Sequence, residues 1–327
     1  MIQRKNFPRT VFKALSMVVF FFFPLFPAFG QNFPNQPIDL FVGASAGGGQ
    51  YLSSRVLAEG AQKELGVPVI VESKDGGGGT VLASIMARRK PDGYTLAVVN
   101  TTVLHAKHVT LNLTYNPFKD FTYLLTYART VGGICVKKDS PLKTLPDLIE
   151  HARKNPGALS YSTPGTGGGI HISIEYLAKQ AKVKFKHVPY KGGAPASTAL
   201  IGGHVDFMGG AGSHLPYVRQ DVMRMLAVSG YEKRDPKFPD VPRVEEFGYK
   251  SMPMGSHLLL APKGLPDPIF KKIEAAFRKS AHSPELRKLL DNIDLPFDFK
   301  DRSQFEAEFA ETYKLYADFL KEIGLAK

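Results

Sequence analysis

The sequence predicts an α/β protein of two lobes, each a mixed, mostly parallel sheet flanked by helices. Three observations predict it. The order strand, glycine turn, helix, strand, glycine turn, helix, strand occurs twice. Two glycine-rich turns, Ser45-Ala46-Gly47-Gly48-Gly49 and Gly165-Thr166-Gly167-Gly168-Gly169, each follow a strand-like run and open a helix-like one. Finally, 327 residues exceed the usual size of a single core.

In the first half, Ile38 to Val42 is apolar and strand-like. Leu52, Val56, Leu57, Ala61 and Leu65 then recur at helical spacing, with Gly66 as the stop. Residues 67–72 read as a buried parallel strand. Gly76 to Gly79 turn the chain into a helix carrying Val81, Leu82, Ile85 and Met86, and Pro91-Asp92-Gly93 precedes a strand over 94–99. Residues 121–127 read as a strand crossing between lobes. Thr144 with Asp147 forms a capping box for the next helix, which ends at Asn155-Pro156-Gly157.

The second half repeats the pattern: a strand over 158–162, then Ile170, Ile174, Leu177 and Ala181 at helical spacing, and a strand over 185–190. The turn Lys191-Gly192-Gly193, a short helix and a strand over 204–208 follow. A second crossing is expected near 255–260. The last seventy or so residues read as three helices, 269–279, 284–291 and 303–323, packed on the first lobe, with Ser303 and Glu306 as a further capping box.

The ends and the composition narrow the setting. Arg4, Lys5, Arg9 and Lys13 precede an apolar stretch from Ala14 to Phe26, and Ala28-Phe29-Gly30 offers small residues before Gln31. This is a secretory signal, cleaved before about Gln31, with a periplasmic destination. The apolar stretch falls short of the roughly 20 residues that span a bilayer. Cleavage of residues 1–30 removes four basic and no acidic side chains, taking the formal charge from +12 to +8. The remaining Lys and Arg are scattered and form no nucleic-acid motif, so nucleic acid is excluded as a partner. Cys135 is the single cysteine and lies in an apolar strand, so it reads as a buried, inert thiol.

A glycine turn at a helix start lets the backbone approach a ligand and aims unpaired N–H groups at it. The helix dipole adds positive potential, so the guest is an anion. Other chemistries fit less well. Gly43-Ala44-Ser45-Ala46-Gly47 matches the G-x-S-x-G nucleophile elbow. It sits at the first strand of the mature chain, no HGGG-like segment precedes it, and its extra glycines suit backbone contact with a ligand. An esterase using Ser45 is therefore a minor alternative. Neither turn has a dinucleotide or P-loop pattern, so no cofactor is expected. His105 and His108 lack a second cluster of ligands, so no metal is expected.

Many short segments, in order, resemble the solute receptors of tripartite tricarboxylate transporters, the Bug-type periplasmic binding proteins. They include Gln36-Pro37-Ile38, Ser45-Ala46-Gly47-Gly48, Pro91-Asp92-Gly93-Tyr94-Thr95-Leu96 and Pro117-Phe118-Lys119-Asp120-Phe121. Val188-Pro189-Tyr190-Lys191-Gly192, Gly202-Gly203-His204-Val205-Asp206, Asp240-Val241-Pro242 and Leu260-Ala261-Pro262-Lys263-Gly264-Leu265-Pro266 continue the series. The resemblance implies a type II clamshell, monomeric and without catalytic residues. It would hold a small organic acid and deliver it to a membrane permease or, alternatively, feed a signalling partner. The expected lobes are 31–124 with 251–327, and 125–250.

The expected site follows. One carboxylate takes N–H bonds from the turn Ser45, Ala46, Gly47, Gly48, Gly49 and Gln50. The far side meets Thr166, Gly167, Gly168, Gly169 and His171. Asn100 and Thr101 end a parallel strand, where such sheets place ligands, and Lys191 offers a counter-charge. Two departures from the family bear on specificity. Tyr51 replaces an Asp, and Gly209-Gly210 replaces Phe-Asp. These argue against an amino-acid ligand, and Tyr51 with a widened wall at Gly210 and Ala211 suits a di-, tri- or aromatic carboxylate.

Overall fold

The computed structural model describes residues 33–107, 113–230, 234–235, 237–252 and 254–322. The export signal, its cleavage point, His108 and the expected last helical residue Ile323 lie outside them.

The first sheet has the order β11-β4-β10-β3-β1-β2. Its strands are β1 (Ile38–Val42), β2 (Val69–Ser73), β3 (Thr95–Asn100), β4 (Phe121–Arg129), β10 (Ser256–Pro262) and β11 (Phe297–Asp301). The second has the order β7-β6-β8-β5-β9. It is built of β5 (Gly132–Lys137), β6 (Ser160–Thr163), β7 (Lys186–Pro189), β8 (Phe207–Gly210) and β9 (Met223–Ser229). Each sheet is mixed: β1 to β3 pair in parallel, as do β6 to β8, and one antiparallel strand borders each trio, β10 on β3 and β5 on β8.

Helices cover both faces because the inner strands are apolar on both sides. In the first lobe, α1 (Gly49–Leu65), α7 (Asp267–Ala281) and α8 (Pro284–Asn292) pack on the face of Leu40, Leu96 and Val98. The other face, with Phe41, Ala97 and Val99, receives α2 (Thr80–Met86) and α9 (Arg302–Glu322). In the second lobe, α3 (Leu145–Lys154) and α4 (Gly169–Ala181) cover Ile134, Val136 and Phe207. The reverse face, with Met208 and the fully buried Cys135, carries α5 (Gly193–Ile201) and α6 (Leu215–Arg219). Burial pushes the Cys135 thiol well above its ordinary pKa, as expected of an inert thiol.

Several expectations need correction. Strand β4 does not cross between lobes: it pairs along its length with β10, so the boundary placed at residue 125 would cut a strand in two. The crossing is the dipeptide Thr130-Val131, between Arg129 and Gly132. Strand β2 lies at a sheet edge, with Ile70 exposed, and no described strand pairs on its far side. The periodicity also missed β11, whose alternate Phe297 and Phe299 are only half buried.

The cap of α9 is not Ser303 with Glu306. Gln304 N–H donates to Asp301 Oδ1 at 3.0 Å, and Asp301 N–H donates to Gln304 Oε1 at 3.0 Å. Asp301→Ala should cost about 1 kcal/mol of stability, measured by urea unfolding. The Thr144–Asp147 capping box is present, with bonds of 3.2 and 2.9 Å.

Helix α9 also does more than cover the first lobe. Its far end packs Tyr316, Phe319 and Leu320 against Ile172 and the partly buried Tyr176 of α4, and Lys179 pairs with Glu322 at 2.6 Å. The three apolar side chains continue the buried stripe of Phe305 and Phe309 beyond the first sheet.

Candidate functional site

In each lobe the three parallel strands end at one edge, where the glycine turns begin. The first turn follows β1. Gly48 N–H donates to Ser45 O at 3.1 Å, Gly47 lies at φ +88°, and α1 starts at Gly49. No side chain caps this helix. Among the described residues, the N–H groups of Ala46, Gly47, Gly49, Gln50 and Tyr51 have no protein acceptor. Ser45, Ala46 and Gly47 are exposed, and Gly48 to Tyr51 are partly so. This is an uncapped helix start with its donors open to a guest.

The neighbouring turn after β2 was not among the expected site residues. Gly76, Gly77, Gly78 and Gly79 all have positive φ, from +57° to +139°, a run open only to glycine. It braces the first turn: a Cβ on Gly43 would meet Gly79 Cα at 3.3 Å. Ser73 Oγ, at the end of β2, donates to Ala44 O at 2.7 Å. Four consecutive glycines were the available signal.

The second turn mirrors the first. Gly168, in an extended conformation, precedes α4, again with no side-chain cap. The N–H groups of Gly168, Gly169 and Ile170 have no protein acceptor among the described residues. Thr166 is exposed and Gly169 is buried where this turn meets the first lobe: a Cβ there would lie 3.0 Å from Thr102 Cγ2. His171 sits behind the turn, 4% exposed, and its Nδ1 accepts the Gly167 N–H at 2.9 Å. Lys191 is exposed beside the glycine turn after β7, with no ion-pair partner among the described residues.

Three expected site positions make structural contacts of their own. Asn100 and Thr101 hold the hinge. Asn100 Nδ2 donates to Thr130 Oγ1 at 2.8 Å, and its Oδ1 accepts from Thr102 N–H and Oγ1 at 2.9 and 2.7 Å. Thr101 N–H donates to Ser256 O, and Ser256 N–H to Thr101 Oγ1, both at 2.9 Å. The two crossings also bond directly, Thr130 N–H to Gly255 O at 2.9 Å. These partners are distant in sequence, so spacing could not reveal them.

Gly210 is the third. Together with Gly209 it is buried and widens no wall. A Cβ on Gly209 would collide with Ile170 and Ile174, and one on Gly210 with the His214 ring. The glycines leave room for side chains of their own lobe. Ala211 stands at the edge, half buried, and Tyr51 is also half buried in the first turn of α1.

Beside the first turn, the lobes are joined by ion pairs. Asp294 is buried between Ile293 and Leu295, whose side chains lie 3.7 and 3.3 Å from the Cβ position of Gly49. From the second lobe, Arg219 pairs with Asp294, and Lys237 Nζ stands 2.9 Å from its Oδ1. A buried carboxylate stripped of these cations is unfavourable. Asp294→Asn should therefore enlarge the radius of gyration of the ligand-free protein by small-angle scattering, and an unchanged radius would count against a bridging role.

Ser45 Oγ forms no hydrogen bond to a histidine among the described residues, so no Ser–His pair supports the nucleophile-elbow reading there. Nor does any group of three His, Cys, Asp or Glu side chains converge as metal ligands among them. No described helix is long and apolar enough to cross a membrane.

Two lobes joined by paired crossings, each presenting an uncapped helix start at its sheet edge, have the two-lobed architecture of periplasmic binding proteins. Comparisons place the chain within that class. A family model described as the tripartite tricarboxylate transporter family receptor matches residues 53–325, and the chain belongs to that family. A Cupriavidus necator protein, described as the UPF0065 protein in the gbd 5' region, is 39% identical over 297 residues, covering 91% of this chain and 90% of its own. The periplasmic binding protein BugD superposes with a TM-score of 0.81 at 28% identity, covering 90% of this chain and 100% of its own. MatC from Rhodopseudomonas palustris, solved with bound malate, gives 0.78 at 27% identity, covering 88% and 100%. The chain is thus a solute-binding receptor of a family whose members are binding proteins.

Proposed function

We propose that this receptor captures a small di- or tricarboxylate between its lobes and delivers it to a membrane permease, with no chemistry of its own. The supporting observation is the pair of uncapped helix starts: among the described residues, the N–H groups of Ala46, Gly47, Gly49, Gln50, Tyr51 and of Gly168, Gly169 and Ile170 have no protein acceptor. Each start favours one carboxylate through its donors and dipole. Lys191, exposed beside the turn after β7, is the candidate for an added counter-charge. The malate held by MatC agrees with this ligand class. The protein acts in the periplasm after cleavage before Gln31. Tyr51, at the first turn of α1, extends the class to acids with an aromatic body.

A ligand touching both lobes stabilises the closed form by its differential affinity for the two states. A thermal-shift screen of mono-, di-, tri- and aromatic carboxylates checks the class. The cognate acid at 100 times its Kd should add about 2.7 kcal/mol of stability. No shift with any multivalent acid would reject the reading. Co-purification with permease subunits, as opposed to a signalling kinase, separates delivery from sensing.

A further inference from the structure

The second glycine turn rests on a column of aromatic rings. The His171 ring from α4 stacks on His187 from β7, with centroids 4.0 Å apart and planes at 19°. His187 stacks on Tyr161 of β6 at 4.9 Å, and Tyr161 on Phe207 of β8 at 5.1 Å. The column thus links α4 to three parallel strands of its lobe.

A hydrogen bond fixes the state of one imidazole nitrogen. Gly167 N–H can only donate, so His171 Nδ1 accepts and is unprotonated. Thr163 Oγ1 lies 3.1 Å from Gly165 O and 2.7 Å from His187 Nε2. One ring therefore holds Gly167 directly, and the other holds Gly165 through Thr163. Gly167 lies at φ +69°, where its N–H turns inward to His171.

We propose that His171 is a positioning residue for ligand capture: by holding the Gly167 amide, it sets the turn from which Gly168, Gly169 and Ile170 offer their N–H groups. This rests on the carboxylate reading above. The imidazole acts from behind the turn and does not touch the ligand. A proton on Nδ1 would replace the acceptor by a donor facing the Gly167 donor, so the turn needs this nitrogen unprotonated. Titratable groups beside the two rings include Tyr161 on β6 and, behind it, Glu175 on α4, which accepts the Tyr161 hydroxyl at 2.5 Å. Lys186, beside His187, is exposed. Two imidazolium rings stacked at 4.0 Å would repel, which opposes charging both.

The test uses two variants of the exported protein. In His171→Asn, the amide oxygen falls where Nδ1 was, so the acceptor remains but cannot titrate. In His171→Leu, the acceptor is lost. Amide hydrogen exchange of the ligand-free protein should show Gly167 protected in the wild type and His171→Asn, and exchanging at least about tenfold faster in His171→Leu. With malate as probe, His171→Leu should bind about tenfold more weakly, while His171→Asn stays within about threefold. Unchanged Gly167 protection in His171→Leu would overturn the proposal, as would equal losses of affinity in the two variants. If the wild type binds no carboxylate but Gly167 protection still depends on residue 171, the ligand reading fails and the hold on the turn stands.

Discussion

Gly48→Val and Gly168→Val should each weaken carboxylate binding by about 10²- to 10⁴-fold while leaving both lobes folded. The size follows from losing about two charge-assisted hydrogen bonds at roughly 1.5–3 kcal/mol each. The preserved fold follows from the backbone. Gly48 (φ −70°, ψ 155°) and Gly168 (φ −76°, ψ 163°) are extended, a conformation that valine adopts readily. A Cβ at Gly48 would lie 3.2 Å from Ser45 O, and at Gly168 3.8 Å from Gly165 O, so the added bulk stands within the turn. Gly47, at φ +88°, would make a poorer test, since substitution there strains the chain as well. Calorimetry with a cognate acid gives the affinity, and circular dichroism gives the fold. Unchanged affinity in both variants would falsify the two-turn clamp, whereas a loss in only one would assign the acid to a single lobe.

Thermal stability should fall steeply as pH drops from about 6.5 to 4. Burial lowers His214 and His257 to about 4 and His105 to about 3, from an ordinary 6.5. Their folded values lie below the unfolded one, so the folded state favours the neutral ring. That stabilisation is complete above about pH 6.5, and it is lost as the unfolded chain takes up protons that the folded chain refuses. A shift from 6.5 to about 4 corresponds to roughly 3 kcal/mol per ring at full effect. His187, also lowered to about 4, is less buried and adds less. Glu246, held near 2 by the Arg234 side chain and the Arg243 amide, loses its contribution only as pH falls below about 4.5, so the two windows separate. Melting curves from pH 7.5 to 4.5 check this. A flat melting temperature would show that the buried rings accept protons without cost. His257→Gln should flatten part of the slope, since its ring is packed among Ser53, Tyr127 and its own strand.

Most of the fold was legible because its signals are local. The two glycine turns, the Thr144 capping box and the apolar runs of β1, β3 and β10 each depend on a few adjacent residues. The errors arose where distant segments meet. Residues 121–127 looked like a crossing because an apolar strand between lobes could belong to either. Pairing with β10, over a hundred residues later, assigns it to the first sheet. The end of α9 reaches the second lobe because Tyr176 of α4 is there to receive Phe319.

The site divides in the same way. Local residues alone show that glycine turns open two helices, and that these starts carry free amides suited to an anion, because a helix start needs only its own residues. The roles of the side chains around them emerge only in three dimensions. It placed Asn100 and Thr101 in the hinge, His171 behind its turn, and Gly209 and Gly210 beneath Ile170, Ile174 and His214. It also brought Asp294 to Arg219 and Lys237 across the lobes. A side chain's role is set by what stands opposite it, and here the opposing groups come from strands and loops far away in the chain.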